Sequence, residues 1–188
     1  MNRTKATEAL QKYFGYREFR PLQLDIIERV YEGGDSLVLM PTGGGKSMCF
    51  QIPALTMPGT TVVVSPLISL MKDQVDGLVA NGIKAAYINS SLSSAESNEV
   101  AEAFESGLLK LLYVSPERLL SSGFFQFLRR AKVNLFAIDE AHCISSWGHD
   151  FRPEYTKLKL IKDSFPTVPI LALTATADRL TRIDMAEQ

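Results

Sequence analysis

Six short apolar runs recur along the chain, and each is followed by a stretch with helical periodicity. The runs cover residues 36–40, 61–65, 85–89, 109–115, 135–139 and 170–174. Val62-Val63-Val64 is β-branched and apolar at consecutive positions. A strand that reads this way is buried on both faces, as in a parallel sheet covered by helices. Between the runs, apolar spacing predicts helices such as 67–81, which Gly82 stops, and Ser93 with Glu96 writes a capping box ahead of another. Strand–helix alternation predicts an α/β fold: a doubly wound, mainly parallel sheet of about six or seven strands with helices on both faces. In such sheets ligands sit at the carboxyl ends of the strands, so chemistry is sought just after each run.

Ahead of the first strand, Ala6, Leu10, Tyr13 and Phe14 predict a helix over 4–14. Leu22, Ile26, Ile27 and Val30 predict a second over 21–32, with Pro21 at its first position and Gly33-Gly34 at its end. With 188 residues and 46% hydrophobic residues, the chain supports one core of ordinary size. The formal net charge is −1, so any polyanion contact has to be local. The two cysteines, Cys49 and Cys143, form no CxxC pair, which argues against a disulfide framework or zinc knuckle. No run approaches the ~20 apolar residues a membrane span needs, and the first residues lack a signal-peptide core. These features predict no membrane partner and a reducing, cytoplasmic setting.

After the first strand comes Met40-Pro41-Thr42-Gly43-Gly44-Gly45-Lys46-Ser47. Glycines let successive N–H groups converge on one anion, and the following helix start adds its dipole. Lys46 is placed to reach terminal phosphates and the Ser47 hydroxyl to ligate Mg²⁺. The strict phosphate-loop pattern has a glycine where Met40 stands. After the fifth strand, Asp139 and Glu140 put two carboxylates at a sheet edge, where they need a cation or polar partners. Asp139 is read as holding the Mg²⁺ shell, and Glu140 as the base that positions and activates water. His142 is read as coupling the nucleotide to a neighbouring element. A metal site from His142, Cys143 and His149 is the lesser reading, because the acidic pair already accounts for the segment.

Four further segments accompany these two. Phe14-Gly15-Tyr16-Arg17-Glu18-Phe19-Arg20-Pro21-Leu22-Gln23 precedes the phosphate loop, and Val64-Ser65-Pro66-Leu67-Ile68-Ser69-Leu70-Met71-Lys72-Asp73-Gln74 follows the second strand. The acidic pair opens a segment that runs from Asp139 to Tyr155 and is aromatic from Trp147 on, and Leu173-Thr174-Ala175-Thr176-Ala177 closes the sixth strand. In this order the set resembles the first RecA-like motor domain of RecQ-family DNA helicases, in helicase superfamily 2. The phosphate loop likewise resembles the helicase variant of that motif.

The resemblance implies ATP and Mg²⁺ as cofactors and single-stranded or duplex DNA as partner. Gln23 is then expected to read the adenine edge, with Tyr16 and Arg20 flanking the base. Thr42, Gly43, Gly44, Gly45, Lys46 and Ser47 hold the phosphates. Ser65, Pro66 and Leu67 contact the strand's backbone. Trp147, His149, Phe151 and Arg152 offer stacking faces and charge to unpaired bases. Thr174 and Thr176 link nucleotide state to strand binding. Arg118, after the fourth strand, reads as a phosphate contact or as a surface ion pair.

The organisation expected is an adenine-recognition segment over 1–34 and an ATP-binding domain over 35–188. Activity is expected to be 3′-to-5′ DNA unwinding in recombination or repair. No second motor domain with its arginine finger is written in these residues. The stretch alone is therefore expected to be monomeric, to bind ATP weakly, to turn it over slowly and not to unwind duplex. Localisation is expected in the bacterial nucleoid or the eukaryotic nucleus. Two readings compete: a DEAH- or DEAD-type RNA helicase, and a nucleotide-gated binding module without turnover.

Overall fold

The computed structural model describes residues 2–40, 45–141 and 158–175. Among them six strands form one sheet: β1 (Ser36–Leu39), β2 (Thr60–Val64), β3 (Ala85–Ile88), β4 (Leu111–Val114), β5 (Val133–Ile138) and β6 (Ile170–Thr174). Their order is β1-β6-β5-β2-β4-β3, and every neighbouring pair is parallel. All five residues of central β2 are buried, as its unbroken apolar run predicts.

Eight helices are described: α1 (Asn2–Ala9), α2 (Gln23–Tyr31), α3 (Met48–Thr56), α4 (Ile68–Ala80), α5 (Ser94–Glu105), α6 (Pro116–Leu119), α7 (Phe124–Leu128) and α8 (Leu160–Ser164). From α1 the chain continues through one wider π turn, Leu10–Phe14. From β1 to β3 the connections step toward the β3 edge, and from β3 to β6 they step back. Right-handed crossovers then require the two sets of helices to lie on opposite faces. The cores agree. Cys49, Phe50, Met71, Val75 and Leu78 from α3 and α4 pack with Val63, Tyr113 and Leu135 on one side. Phe104, Leu119, Phe124, Leu128 and Ile161 from α5–α8 pack with Val62, Leu112 and Phe136 on the other. A third cluster, Ala6, Ala9, Leu10, Ile27 and Ile52, seats α1 and α2 on α3.

The capping box is present as read. Glu96 N–H donates to Ser93 Oγ at 3.1 Å, and Ser93 N–H donates to Glu96 Oε1 at 3.1 Å. These backbone and side-chain bonds from Ser93 hold the Glu96 carboxyl below its ordinary value. That contribution is present above the ordinary glutamate range and is lost as pH falls through the lowered value. Ser93→Ala is expected to cost about 1 kcal/mol, checked by chemical denaturation.

One expectation at the second helix fails. Pro21 does not open it. Pro21 and Leu22 form a turn with Leu22 at φ 73°, and α2 begins at Gln23. The left-handed residue re-aims the chain, so the helix starts two residues late and presents Gln23 at its mouth.

Candidate nucleotide-binding site

Adjacent strands whose following connections go to opposite faces leave a crevice at the carboxyl rim. Here the connection after β1 leads to α3 on one face, and the chain after β5 leads to α8 on the other. β6 lies between β1 and β5, so the phosphate loop and the acidic pair flank this crevice. Asp139 N–H donates to Val64 O at 2.9 Å and pins the acidic pair to the end of β2. Met40 N–H donates to Thr174 O at 3.0 Å and ties the entry of the phosphate loop to the end of β6. The buried Thr174 thus borders the loop.

The two motifs meet. Lys46 Nζ lies 3.1 Å from Asp139 Oδ1 and 3.4 Å from Glu140 Oε1. Asp139 is only 7% exposed, so its charge depends on such partners. Burial alone pulls the Lys46 ammonium down, but the Asp139 and Glu140 carboxylates outweigh it and hold it above the ordinary lysine value. A raised lysine contributes stability at every pH below the ordinary lysine range and loses it as pH rises through the raised value. The pair is therefore intact at neutral pH. Glu140 sits at φ 55°, and its N–H donates to Asp139 Oδ1 at 3.0 Å. Leu22 and Glu140 are the two positive-φ residues other than glycine among those described; Glu140 belongs to this site, and Leu22 directly precedes Gln23. Strained backbone of this kind persists where surroundings over-determine it, often at functional sites.

Lys46 and Ser47 lead directly into α3, and the Gln51 N–H donates to Ser47 O at 2.9 Å. The Ser47 hydroxyl makes no hydrogen bond among the described residues. A free hydroxyl and a nearby carboxylate are oxygen donors that suit Mg²⁺, which takes one or two carboxylates and completes its shell with water and phosphate.

Behind the loop is a cleft of about 130 Å³ lined by Leu10, Tyr16, Glu18, Arg20, Gln23, Gly45 and Met48. Tyr16 is 56% exposed at its mouth, which leaves a ring face for a planar ligand. Gln23 is buried and clasps the phosphate loop: its Nε2 donates to Gly45 O at 3.0 Å, and its Oε1 accepts from Arg20 N–H at 2.8 Å. An amide has two donors and two lone pairs, so one of each remains for a base edge. Gly45 has φ 76°, and a Cβ there would lie 2.3 Å from Gln23 Nε2. The left-handed φ favours glycine, and a side chain there would push the Gln23 amide off the loop.

The segments expected to touch a strand are placed in part. Ser65 and Pro66 are buried and Leu67 half-buried at the carboxyl end of β2. Ser65 Oγ accepts from Leu67 N–H at 3.2 Å, so that donor is already engaged. Ser115 Oγ accepts from Arg118 N–H at 3.3 Å and caps α6. Among the described residues the exposed Arg118 forms no ion pair; its guanidinium lies 5.9 Å from the Phe124 ring centroid. Thr42, Gly43, Gly44, His142, Trp147, His149, Phe151, Arg152 and Thr176 lie outside the described residues.

Leu10, Glu18 and Met48 in the cleft escaped the sequence reading. Met48 carried a signal, since it directly follows Ser47; Leu10 reads only as core. The Cys49 thiol beneath the loop is pushed up to about 12 by burial, so it stays protonated near neutrality.

A match to known proteins agrees with this geometry. Residues 20–183 match the family described as DEAD/DEAH box helicase. The chain is 57% identical over 180 residues to the ATP-dependent DNA helicase RecQ of Pasteurella multocida, covering 96% of this chain and 28% of that protein. It is 50% identical to the ATP-dependent DNA helicase RecQ of Bacillus subtilis, with 98% of this chain and 32% of that protein covered. The ATP-dependent helicase SGS1 of Saccharomyces cerevisiae is 44% identical, over 94% of this chain and 13% of its own length. The chain thus spans about a third or less of these relatives. Two solved structures share the fold. A Mycobacterium smegmatis helicase Lhr, bound to ssDNA and AMP-PNP, matches at TM-score 0.68 and 17% identity over 99% of this chain and 25% of that one. The DUF1998 helicase MrfA bound to DNA matches at TM-score 0.73 and 18% identity, over 98% and 28%. With its phosphate loop and acidic pair converging on one rim, and with RecQ-type sequences matching nearly its whole length, the chain belongs to the DEAD/DEAH box helicase family.

Proposed function

We propose that the chain is the ATP-binding motor domain of a 3′-to-5′ DNA helicase that couples ATP hydrolysis to single-strand translocation and duplex unwinding in recombination or repair. The observation that carries this reading is the meeting of Lys46 with Asp139 and Glu140 across the rim. The relatives described as ATP-dependent DNA helicases support DNA as the substrate class.

In the reaction, the base enters the cleft beside Tyr16 and Arg20 and meets the free donor and lone pair of Gln23. Residues 42–47 and the N-terminus of α3 cradle the phosphates. Lys46 leaves the carboxylates for the outer phosphate oxygens. Ser47 and Asp139 would hold Mg²⁺, which would supply charge neutralisation at the transferring phosphate. Glu140, freed from Lys46, orients the attacking water and accepts its proton. Gln23 bonds to Gly45, so occupancy of the base cleft bears directly on the shape of the phosphate loop. Residues 1–34 serve as the adenine-recognition segment and 35–188 as the motor.

In the full-length protein a second motor domain completes the site with an arginine finger, worth roughly 10³–10⁵ in rate. Residues 1–188 alone therefore bind ATP weakly and turn it over slowly. The helicase works in the cytoplasm, at the nucleoid or in the nucleus; no helix among the described residues is long and apolar enough to cross a membrane.

Steady-state ATPase of the full-length protein with single-stranded DNA and with RNA is the test. Stimulation by DNA is expected. Stimulation by RNA alone would transfer the assignment to an RNA helicase, and no turnover with either would leave a binding module.

A further inference from the structure

The start of α3 carries Lys46 and Ser47, and its first turn is wound tightly. The N–H groups of Met48, Cys49 and Phe50 donate to the carbonyls of Gly45, Lys46 and Ser47, three residues back, at 3.1 to 3.2 Å. Further along, Pro53 has no N–H to give, so the Cys49 carbonyl receives no ladder bond from it. The first turn is thereby joined less firmly to the rest of the helix. Apolar contacts of Cys49, Phe50 and Ala54 seat α3 on the sheet. Such contacts are non-directional, so they set depth better than rotation or axial register.

Direction comes from polar ties, and among the described residues this turn has two to the strands or their ends. Lys46 reaches Asp139 and Glu140. Gln51, one turn on from Ser47, donates from Nε2 to Tyr113 Oη on β4 at 3.4 Å. Both partners of the second tie are buried. The Phe50 ring meets the Tyr113 ring edge-on, with centroids 6.4 Å apart, and so helps to place the phenol. Burial pushes that phenol up further than the Gln51 amide pulls it down, and the Asp139 charge adds to the rise. The hydroxyl therefore stays protonated near neutrality, within the field of the Asp139 carboxylate. Neither side-chain group makes another hydrogen bond among the described residues. For stability alone, two apolar side chains of the same shape would serve nearly as well as this buried pair.

The two ties differ in when they act. In the reading above, Lys46 leaves the carboxylates for phosphate once nucleotide binds. The tie from Gln51 to Tyr113 is closed off from solvent and remains. We infer that Gln51 and Tyr113 are positioning residues: their bond holds the first turn of α3 against the sheet after Lys46 has let go, and so keeps the Ser47 hydroxyl and Asp139 in place for one Mg²⁺. The inference rests on the motor reading above. Ser47 carries its hydroxyl on a single carbon, so any shift of the turn moves it. Lys46, on a long flexible stem, can follow its phosphate.

The test uses the full-length protein with Tyr113→Phe, with Gln51→Leu and with both. Binding of a fluorescent, non-hydrolysable ATP analogue is titrated with Mg²⁺ and repeated without it, beside thermal melts and DNA-stimulated turnover. Each single variant is expected to raise the Mg²⁺ concentration for half-maximal binding by about tenfold, the low end of what loss of a residue behind a metal ligand costs. Binding without Mg²⁺ should stay at the parent level. The double variant should lose no more than either single one, because the same bond is removed in all three. A role in stability alone predicts a lower melting temperature with the parent's Mg²⁺ dependence. That result, or single losses that add in the double variant, overturns the inference, while DNA-stimulated turnover in the parent keeps the motor reading. Should Gln51→Leu fail to melt cooperatively, Tyr113→Phe, which removes one oxygen, decides alone. A parent with neither Mg²⁺-dependent binding nor DNA-stimulated turnover ends both.

Discussion

Glu140→Gln in the full-length protein is expected to lower DNA-stimulated ATP turnover by about 10²–10⁴-fold, the range a positioned general base contributes, while ATP still binds. In the proposed mechanism Glu140 is the base: it directly follows Asp139 at the end of β5, on a backbone held at φ 55°. In the structure its Oε1 faces Lys46 Nζ at 3.4 Å, so it is held ready and its charge is balanced. Glutamine keeps the size and the hydrogen-bonding edge and removes the ability to take a proton. A merely structural Glu140 would tolerate that change. Binding of a fluorescent ATP analogue, followed beside turnover, separates the two cases. Turnover at the parent level would remove Glu140 from the mechanism.

Lys46→Ala is expected to cost on the order of 10²–10³ in turnover, as removal of a preorganised charge from a transition state does, and to weaken ATP binding as well. Its second effect belongs to the empty protein. Asp139 is nearly buried and Glu140 stands beside it, and Lys46 is the cation that reaches both. Its removal takes one cation from two neighbouring carboxylates at a low-dielectric rim, and breaking one side of a buried pair is destabilising. Thermal unfolding of nucleotide-free Lys46→Ala should therefore occur at lower temperature than the parent, and Asp139→Asn in the same chain should restore part of the loss. A double variant no more stable than Lys46→Ala would show that the ion pair is incidental to the empty state.

Much of this was legible before any coordinates. The β-branched run 62–64 announced a strand buried on both faces, because only a covered parallel sheet accepts apolar residues on consecutive positions. Ser93 and Glu96 announced a helix start, because their bonds are local and need no tertiary partner. The phosphate loop and acidic pair were legible as types because strand ends collect ligands in any doubly wound sheet.

Local pattern failed where a distant contact or an unusual dihedral decided the outcome. Pro21 has the right chemistry for a first helical residue, yet Leu22 in the left-handed region delays α2 to Gln23. The sequence marks Gln23 as a candidate for the nucleotide site, but its clasp on Gly45, 22 residues away, has no local signature. The bond from Gln51 to Tyr113, 62 residues away, is the same kind of feature.

The sequence alone therefore determined the elements and the chemical types at their ends, since periodicity, capping and glycine-rich turns act over a few residues. Only the tertiary structure decided which of those ends meet. Strand order β1-β6-β5-β2-β4-β3 carries Lys46 to within 3.1 Å of Asp139, 93 positions along the chain. That order is set by how crossovers pack helices over the whole sheet, a property no short window of residues contains.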